Sequence, residues 1–292
     1  MNFYRVYVEL TNTCGLACTF CPPKKRPSAI MSLPLFEHIL DELSSYTKEL
    51  ALHMGGDPLT LSNLSAYLDI CEKKSFKVML TTSGYYLNKH DLTTFMHPAI
   101  KQINLSLNSY NKNSMPLSFE AYMQPIIALC RLKHEKNNKA LFINLRLWNM
   151  DESHSEKAFN EMLFAFLKEH FETALCTQTI YREKPRSIRL AEKILLHFDR
   201  YFEWPSLESS HYSQGSCLGL RSHFGILSNG DVVPCCLDKD GLMVLGNVQH
   251  EPLKNILNAP RAQAIIQGFN NHQAVELVCQ KCSYKDRFKE QS

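Results

Sequence analysis

Residues 4–21 read Tyr4-Arg5-Val6-Tyr7-Val8-Glu9-Leu10-Thr11-Asn12-Thr13-Cys14-Gly15-Leu16-Ala17-Cys18-Thr19-Phe20-Cys21, a short β-type run followed by three cysteines. Parallel α/β folds place their chemistry on loops at the carboxyl ends of strands. Three soft thiolates on such a loop favour zinc or iron–sulfur. Structural zinc normally takes four protein ligands, whereas a four-iron cluster held by three cysteines leaves one iron open to an external ligand. A zinc site with a distant fourth ligand remains the alternative.

Further along the chain, apolar β-rich runs alternate with amphipathic helical patterns as far as residue 181, which predicts βα units and a mainly parallel sheet. The predicted strands are Tyr4–Leu10, Leu50–Met54, Lys77–Thr82, Gln102–Leu107, Ala140–Leu147 and Thr177–Tyr181. The helices between them carry apolar residues at the three-and-four spacing of a buried face, as in Phe36, Ile39, Leu40 and Leu43.

After residue 182 the pattern changes to a small cysteine-rich module, so we predict two domains, residues 1–181 and residues 182–292. Ser228-Asn229-Gly230-Asp231 between apolar runs predicts a hairpin, and Leu253–Leu257 and Arg261–Phe269 predict short helices. Four cysteines of this module can close a metal shell, as structural zinc or as an iron–sulfur cluster. They are Cys217, Cys235, Cys279 and Cys282.

The composition narrows the class of protein. Of 292 residues, 45% are hydrophobic and 21% charged, as in ordinary folded domains. The net charge of +3 does not favour nucleic acid as a partner. No apolar run of about 18 residues predicts a membrane span, and the first ten residues do not resemble a signal peptide. We therefore expect a cytoplasmic, reducing location, where the eleven cysteines need an explanation other than disulfides.

Four motifs together resemble those of radical S-adenosylmethionine enzymes. Cys14 to Cys21, with Phe20 before the third cysteine, resembles the family signature. Met54-Gly55-Gly56-Asp57-Pro58 resembles the Gly-Gly-Glu-Pro motif, with Asp57 in place of Glu, and Thr81-Thr82-Ser83-Gly84 resembles a Thr-Asn-Gly element. Ser106-Leu107-Asn108 ends the fourth strand, where the family contacts the ribose. The resemblance covers residues 4 to 181 and implies a partial (βα)6 TIM-like barrel.

The resemblance also implies the cofactors and their ligands. Cys14, Cys18 and Cys21 would hold a 4Fe-4S cluster whose open iron chelates exchangeable S-adenosyl-L-methionine. Reductive cleavage of that cofactor would give a 5′-deoxyadenosyl radical that abstracts a substrate hydrogen. The residues implied in binding S-adenosylmethionine are Phe20 against adenine, Gly55, Gly56 and Asp57 at the methionine moiety, Thr82, Ser106, Asn108, and Arg146 as a partner of the methionine carboxylate.

The cysteine pattern of the second module resembles the shortened SPASM, or twitch, module that follows the barrel in several of these enzymes. It implies one auxiliary 4Fe-4S cluster bound by the four cysteines, with a role in accepting or relaying an electron. Zinc remains the alternative at this site. A reductant such as flavodoxin or ferredoxin would serve as a protein partner.

We therefore expect an oxidoreductase-type radical enzyme that oxidises or crosslinks a peptide or modifies a small polar metabolite. A second hypothesis is a redox-neutral radical epimerase in which the Cys236 thiol donates a hydrogen atom. Asp238 is a candidate base that could equally cap a turn. A third hypothesis, from a different class, is a non-enzymatic zinc or iron–sulfur electron-transfer protein.

Overall fold

The structure is a computed structural model that describes residues 2–114, 116–147, 156–173 and 175–291. The strands are β1 (Arg5–Val8), β2 (Glu49–Ala51), β3 (Lys77–Thr82), β4 (Ile100–Ser106), β5 (Phe142–Leu147), β6 (Ser187–Ala191), β7 (Ile194–Phe198), β8 (His223–Ile226), β9 (Asp231–Val233) and β10 (Gly246–Asn247). The helices are α1 (Leu33–Leu43), α2 (Leu64–Lys73), α3 (Asn108–Asn111), α4 (Phe119–Glu135), α5 (Lys157–Phe171), α6 (Thr177–Glu183), α7 (Leu253–Asn258), α8 (Pro260–Asn270) and α9 (Leu277–Gln280). Short 3₁₀ helices cover Pro58–Thr60, Leu87–Lys89, Leu92–Met96 and Ser283–Gln291.

The chain forms two compact units, each discontinuous in sequence. Unit 1 contains Met1–Gly15, Phe20–Met79 and Phe202–Ser292, and unit 2 contains Leu16–Thr19 and Leu80–Tyr201. The domain boundary predicted at residue 181 is a different division of the chain and stays a prediction.

Unit 1 is built on strands in the order β10-β9-β8-β1-β2-β3. β1 pairs in parallel with β2 and β8, and β2 with β3, whereas β8 and β9 are antiparallel. The β8–β9 turn is the predicted hairpin, in which Gly230 takes a φ of +88° that favours glycine. α7 and α8 confirm the two predicted C-terminal helices.

Unit 2 has the strand order β4-β5-β7-β6. β4, β5 and β7 run parallel, and the odd-numbered side chains of β5, among them Ile143 and Leu145, are fully buried while Asn144 and Arg146 lie on the other face. The predicted α/β class, with parallel strands followed by a cysteine-rich module, is confirmed.

The predicted strand Thr177–Tyr181 is wrong, because this segment is helix α6. The β-type composition of this segment predicted a strand. In the structure only Ile180 of the helix is buried, and none of the described strands pairs with the segment. The sixth parallel strand is β7, which pairs with β5 and buries Ile194, Leu196 and Phe198. Burial alternates strictly along β7, although Leu195 on the less buried face is also apolar, so the sequence itself does not show this alternation.

None of the described helices is long and apolar enough to cross a membrane.

Candidate iron–sulfur sites

Thr11 and Asn12 close the base of the loop that carries the three cysteines. The Thr11 hydroxyl donates to the Ala29 carbonyl at 3.0 Å. The Asn12 carboxamide donates to the Pro27 carbonyl at 2.7 Å and accepts the Ala29 N–H at 2.9 Å. The residues between these anchors therefore form one closed loop, in which Gly15 takes a left-handed φ of +71°.

The three thiols of this loop differ in exposure. Cys18 is buried, Cys14 is half-buried and Cys21 is exposed. The Cys18 sulfur accepts a hydrogen bond from Asn113 Nδ2 at 2.8 Å, and Asn113 Oδ1 accepts the N–H of Ala17 at 3.1 Å. Asn113 thus orients the middle cysteine from the loop after β4, a role that its sequence position does not reveal.

The turn at Gly55 to Asp57 packs directly on the backbone that leads into the cysteine loop. A Cβ atom on Gly56 would lie 2.3 Å from the Thr11 carbonyl oxygen, so only glycine fits there. The Asp57 N–H donates to the Thr13 carbonyl at 3.0 Å. The buried Asp57 side chain accepts the Leu59 N–H at 3.0 Å and so caps the 3₁₀ helix that follows. One of its carboxylate oxygens therefore has a structural partner, and its contact with a methionine amino group stays a prediction.

A buried carboxylate, that of Glu9, lies beneath this turn. Glu9 directly follows β1, and no motif in the sequence marks it as part of the site. Glu9 has no exposed surface and forms an ion pair with Arg26 at 2.8 Å. It also accepts the Gly55 N–H at 3.3 Å and both the N–H and the hydroxyl of Ser228 at 3.1 and 2.9 Å. Arg26 in turn donates to the Lys239 carbonyl at 3.0 Å. One buried charge therefore joins the cysteine loop, the glycine turn and the C-terminal hairpin.

The remaining predicted cofactor contacts lie in unit 2, apart from the half-buried Phe20 of unit 1. Ser106 and Arg146 are paired across β4 and β5, and Arg146 lies 3.7 Å from the Asp199 carboxylate. Thr82 and Asn108 are buried at the ends of β3 and β4. They stand at strand ends as predicted, and their contacts with S-adenosylmethionine stay predictions.

One face of unit 2 carries a row of amide side chains. Asn104 Oδ1 accepts from Gln102 Nε2 at 2.8 Å and from Asn144 Nδ2 at 3.0 Å, and Asn104 Nδ2 donates to the Thr81 hydroxyl at 3.1 Å. The buried Oδ1 atom of Asn144 has no hydrogen-bond partner among the described residues. A buried acceptor without a partner is costly, so this oxygen suits a donor group of a bound molecule. Arg146 is two residues further along the same face.

The four C-terminal cysteines predicted to share a metal are brought together in unit 1. They line one cavity of about 70 Å³. Its wall is formed by Tyr7, Pro205, Cys217, His223, Cys235, Cys236, Leu237, Met243, Phe269, Val278, Cys279, Cys282, Tyr284 and Lys285. Four soft donors around one largely apolar cavity match the donor set of a structural zinc or a four-cysteine iron–sulfur cluster.

Electrostatics supports a common site for these thiols. Burial raises the pKa of Cys235 well above its ordinary value, and the nearby Cys236, Cys217 and Cys279 thiols raise it further. Burial and then Cys217 and Cys282 likewise raise the pKa of Cys279. A bound soft cation would reverse this effect by stabilising the thiolates. Within the described ranges no three Cys, His, Asp or Glu side chains are already grouped as an ion's ligands, so the assignment rests on the shared cavity and on the donor chemistry.

The two candidate catalytic residues lie beside this cavity. Cys236 and Tyr7 both line this cavity, and burial raises the pKa of the Cys236 thiol to about 12, with Tyr7 acting in the opposite direction. Asp238 is 3% exposed and accepts the N–H groups of Leu242 and Met243 at 2.8 Å each. Through these bonds Asp238 caps a turn. Its role as a base stays a prediction. Tyr7 was not singled out from the sequence, because its position in a strand gives no signal that it lines the cavity.

Two family models match the chain. Residues 8–149 match the "Radical SAM superfamily" and residues 217–283 match "SPASM: Iron-sulfur cluster-binding domain".

Among curated proteins, the chain is similar to a GTP 3′,8-cyclase of Aliarcobacter butzleri (strain RM4018), with 28% identity over 37% of this chain and 35% of that protein. It is also similar to an AdoMet-dependent heme synthase of Methanosarcina barkeri (strain Fusaro / DSM 804), with 25% identity over 41% of this chain and 37% of that protein. The matches thus span little more than a third of the length of these relatives.

Two solved structures share the fold. BtrN in complex with AdoMet and 2-DOIA superposes with a TM-score of 0.62 and 15% identity, covering 97% of this chain and 94% of BtrN. Streptococcus suis SuiB bound to S-adenosylmethionine gives a TM-score of 0.63 and 17% identity, covering 100% of this chain and 75% of SuiB.

Proposed function

The chain belongs to the radical SAM superfamily through residues 8–149 and carries a SPASM iron–sulfur cluster-binding domain at residues 217–283, and from that membership we propose that it is an oxidoreductase-type radical enzyme acting on a peptide or a small polar metabolite. When bound, the first 4Fe-4S cluster supplies the electron that cleaves S-adenosylmethionine to methionine and a 5′-deoxyadenosyl radical, which takes a hydrogen atom from the substrate. The protein contributes binding, orientation and exclusion of water.

The observation that carries this proposal is the contact between the glycine turn and the cysteine loop. Gly56 packs on Thr11 and Thr13, and Thr13 directly precedes Cys14, so a ligand held by the backbone of the turn would lie close to Cys14. The donor set fits the proposed cofactor, because three cysteines leave one metal position for an external chelator.

We assign the remaining contacts with S-adenosylmethionine to five further residues. We assign Phe20 to adenine, Ser106, Asn108 and Thr82 to the nucleoside, and the Arg146 guanidinium to the methionine carboxylate. The Arg146 guanidinium lies 3.7 Å from the Asp199 carboxylate, so a carboxylate group can approach it, as this assignment requires.

The auxiliary site supports oxidation as the outcome. Cys217, Cys235, Cys279 and Cys282 would hold an auxiliary 4Fe-4S cluster with no open position, which would supply a one-electron acceptor. Oxidation of a substrate radical would also require a base for one proton and a flavodoxin or ferredoxin that carries the electron away. The amide row around Asn104, with the unpartnered Asn144 Oδ1, supports a substrate rich in N–H or O–H groups. Among solved relatives, SuiB is bound to the precursor peptide SuiA, which supports a peptide, and BtrN is in complex with AdoMet and 2-DOIA.

A second candidate function is favoured by the position of Cys236, which lines the same cavity as Tyr7. A thiol on the cavity wall, in the company of a half-buried tyrosine, could donate a hydrogen atom to a substrate radical, which would make the reaction a redox-neutral epimerisation. Replacing Cys236 by alanine separates the two, because it abolishes only the epimerisation.

Anaerobic reconstitution tests the proposal. We expect about eight irons per chain and formation of 5′-deoxyadenosine from S-adenosylmethionine and dithionite. Cys18→Ala should abolish cleavage, whereas Cys71→Ala, which changes a buried cysteine of helix α2, should leave it intact. Bound zinc without cleavage would instead support a non-enzymatic metal protein. The substrate is then found as the compound whose deuterium appears in 5′-deoxyadenosine.

A further inference from the structure

Lys285 is a buried cation on the wall of the four-cysteine cavity. Only 1% of its surface is exposed. Its Nζ donates to the carbonyls of Cys282 at 2.9 Å and Gln280 at 3.1 Å, both within the segment that supplies two of the four thiols. The ammonium group therefore lies inside the protein, beside the segment that carries Cys279 and Cys282, where a charge acts more strongly on its surroundings than it does in water.

The cavity would carry negative charge when its four cysteines hold a cluster. Burial raises the pKa of Cys217 and Cys282, and the positive charge of Lys285 acts on both thiols in the opposite direction. Reduction adds one negative charge to a four-cysteine cluster, and a nearby cation in a low-dielectric interior stabilises the reduced form more than the oxidised one.

The other charged side chains that act on these thiols do not line the cavity. Glu276 acts on Cys279 but is paired with Arg261 at 2.7 Å, and Asp238 is held by two backbone N–H groups. Arg221 acts weakly on Cys217 and is exposed. Lys285 is therefore the charge of this set that is buried on the cavity wall itself.

We propose that Lys285 raises the reduction potential of the auxiliary cluster and so favours its uptake of an electron. The inference rests on the proposed function, because it requires an iron–sulfur cluster in the four-cysteine cavity. Lys285 acts through the cluster as a tuning residue and does not contact substrate. Its effect would favour substrate oxidation over a redox-neutral outcome.

The experiment uses the full chain with Cys14, Cys18 and Cys21 replaced by alanine, so that the auxiliary cluster alone titrates. Its midpoint potential is measured by EPR-monitored redox titration. Lys285→Gln keeps a hydrogen-bond donor near the two carbonyls but removes the charge. We expect it to lower the reduced-to-oxidised ratio at fixed potential at least tenfold, which for one electron is 59 mV. Lys285→Arg should stay within threefold of the parent.

Lys281→Gln is the matched control, since Lys281 lies between Cys279 and Cys282 in the sequence but does not line the cavity and donates to the Leu207 carbonyl. It should change the ratio less than threefold. An unchanged potential in Lys285→Gln with full iron would overturn the inference. Loss of the cluster in both Lys285→Gln and Lys285→Met would assign Lys285 to folding and also overturn it. A parent that binds no iron at all would instead refute the auxiliary cluster of the proposed function.

Discussion

The fully buried carboxylate of Glu9 and the guanidinium of Arg26 form an ion pair of 2.8 Å directly beneath the turn at Gly55. Arg26 lies on the returning arm of the three-cysteine loop, and Ser228 of the C-terminal hairpin shares the same carboxylate. The loop, the turn and the hairpin are therefore fixed to one another through a single buried charge within unit 1.

Replacing Arg26 by methionine should strongly destabilise unit 1. The change leaves the Glu9 carboxylate buried without its cation, and breaking a buried pair in this way costs about 3 kcal/mol or more. Urea unfolding of the anaerobically reconstituted protein measures the loss. Arg26→Lys, which keeps the charge but has a single ammonium donor head, should retain more of the stability. Equal stability of Arg26→Met and the parent would show that the ion pair contributes little.

Replacing Gly56 by alanine should weaken binding of S-adenosylmethionine. The new Cβ would lie 2.3 Å from the Thr11 carbonyl oxygen and must displace the turn or the start of the cysteine loop. We expect affinity to fall at least tenfold, which is about 1.4 kcal/mol. Equilibrium dialysis with labelled S-adenosylmethionine measures it.

Gly55→Ala provides the graded comparison, because its Cβ would meet the Glu9 carboxylate at 3.0 Å rather than a backbone atom at 2.3 Å. Its effect should be smaller. A Gly56→Ala protein with full iron and unchanged affinity would remove the turn from the proposed site.

Local periodicity predicted most of the sheet, because strands with one or two buried faces leave a pattern in the sequence. β3 was predicted with its observed bounds, Lys77–Thr82. The partners of Glu9 were not predictable, because they include Ser228, 219 positions away, and no local pattern records such a contact. The same holds for Asn113, whose partner Cys18 is 95 positions away. The error at residues 177–181 had the opposite origin, since composition suggested a strand where neither burial nor pairing supports one.

Replacing Cys217 by alanine should remove the auxiliary cluster while sparing the first. We expect iron to fall from about eight to about four per chain, with some uncoupled cleavage of S-adenosylmethionine remaining. Iron analysis and quantification of 5′-deoxyadenosine measure the two effects. Cys130→Ala, which changes a buried cysteine of helix α4, should leave the iron content unchanged. Complete loss of cleavage in Cys217→Ala with four irons still bound would contradict the division into two independent sites.

Replacing Asn113 by alanine should make the first cluster harder to reduce. Asn113 Nδ2 donates to the Cys18 sulfur at 2.8 Å, and hydrogen bonds to cluster sulfurs stabilise the more negative, reduced form. The EPR signal of the dithionite-reduced cluster should therefore fall in a protein with full iron content. Asn111→Ala is the control, because Asn111 donates to Glu156 rather than to a cysteine of the loop. If both variants give the parent signal, the contact with Cys18 does not influence the cluster, and Asn113 only supports the loop through the N–H of Ala17.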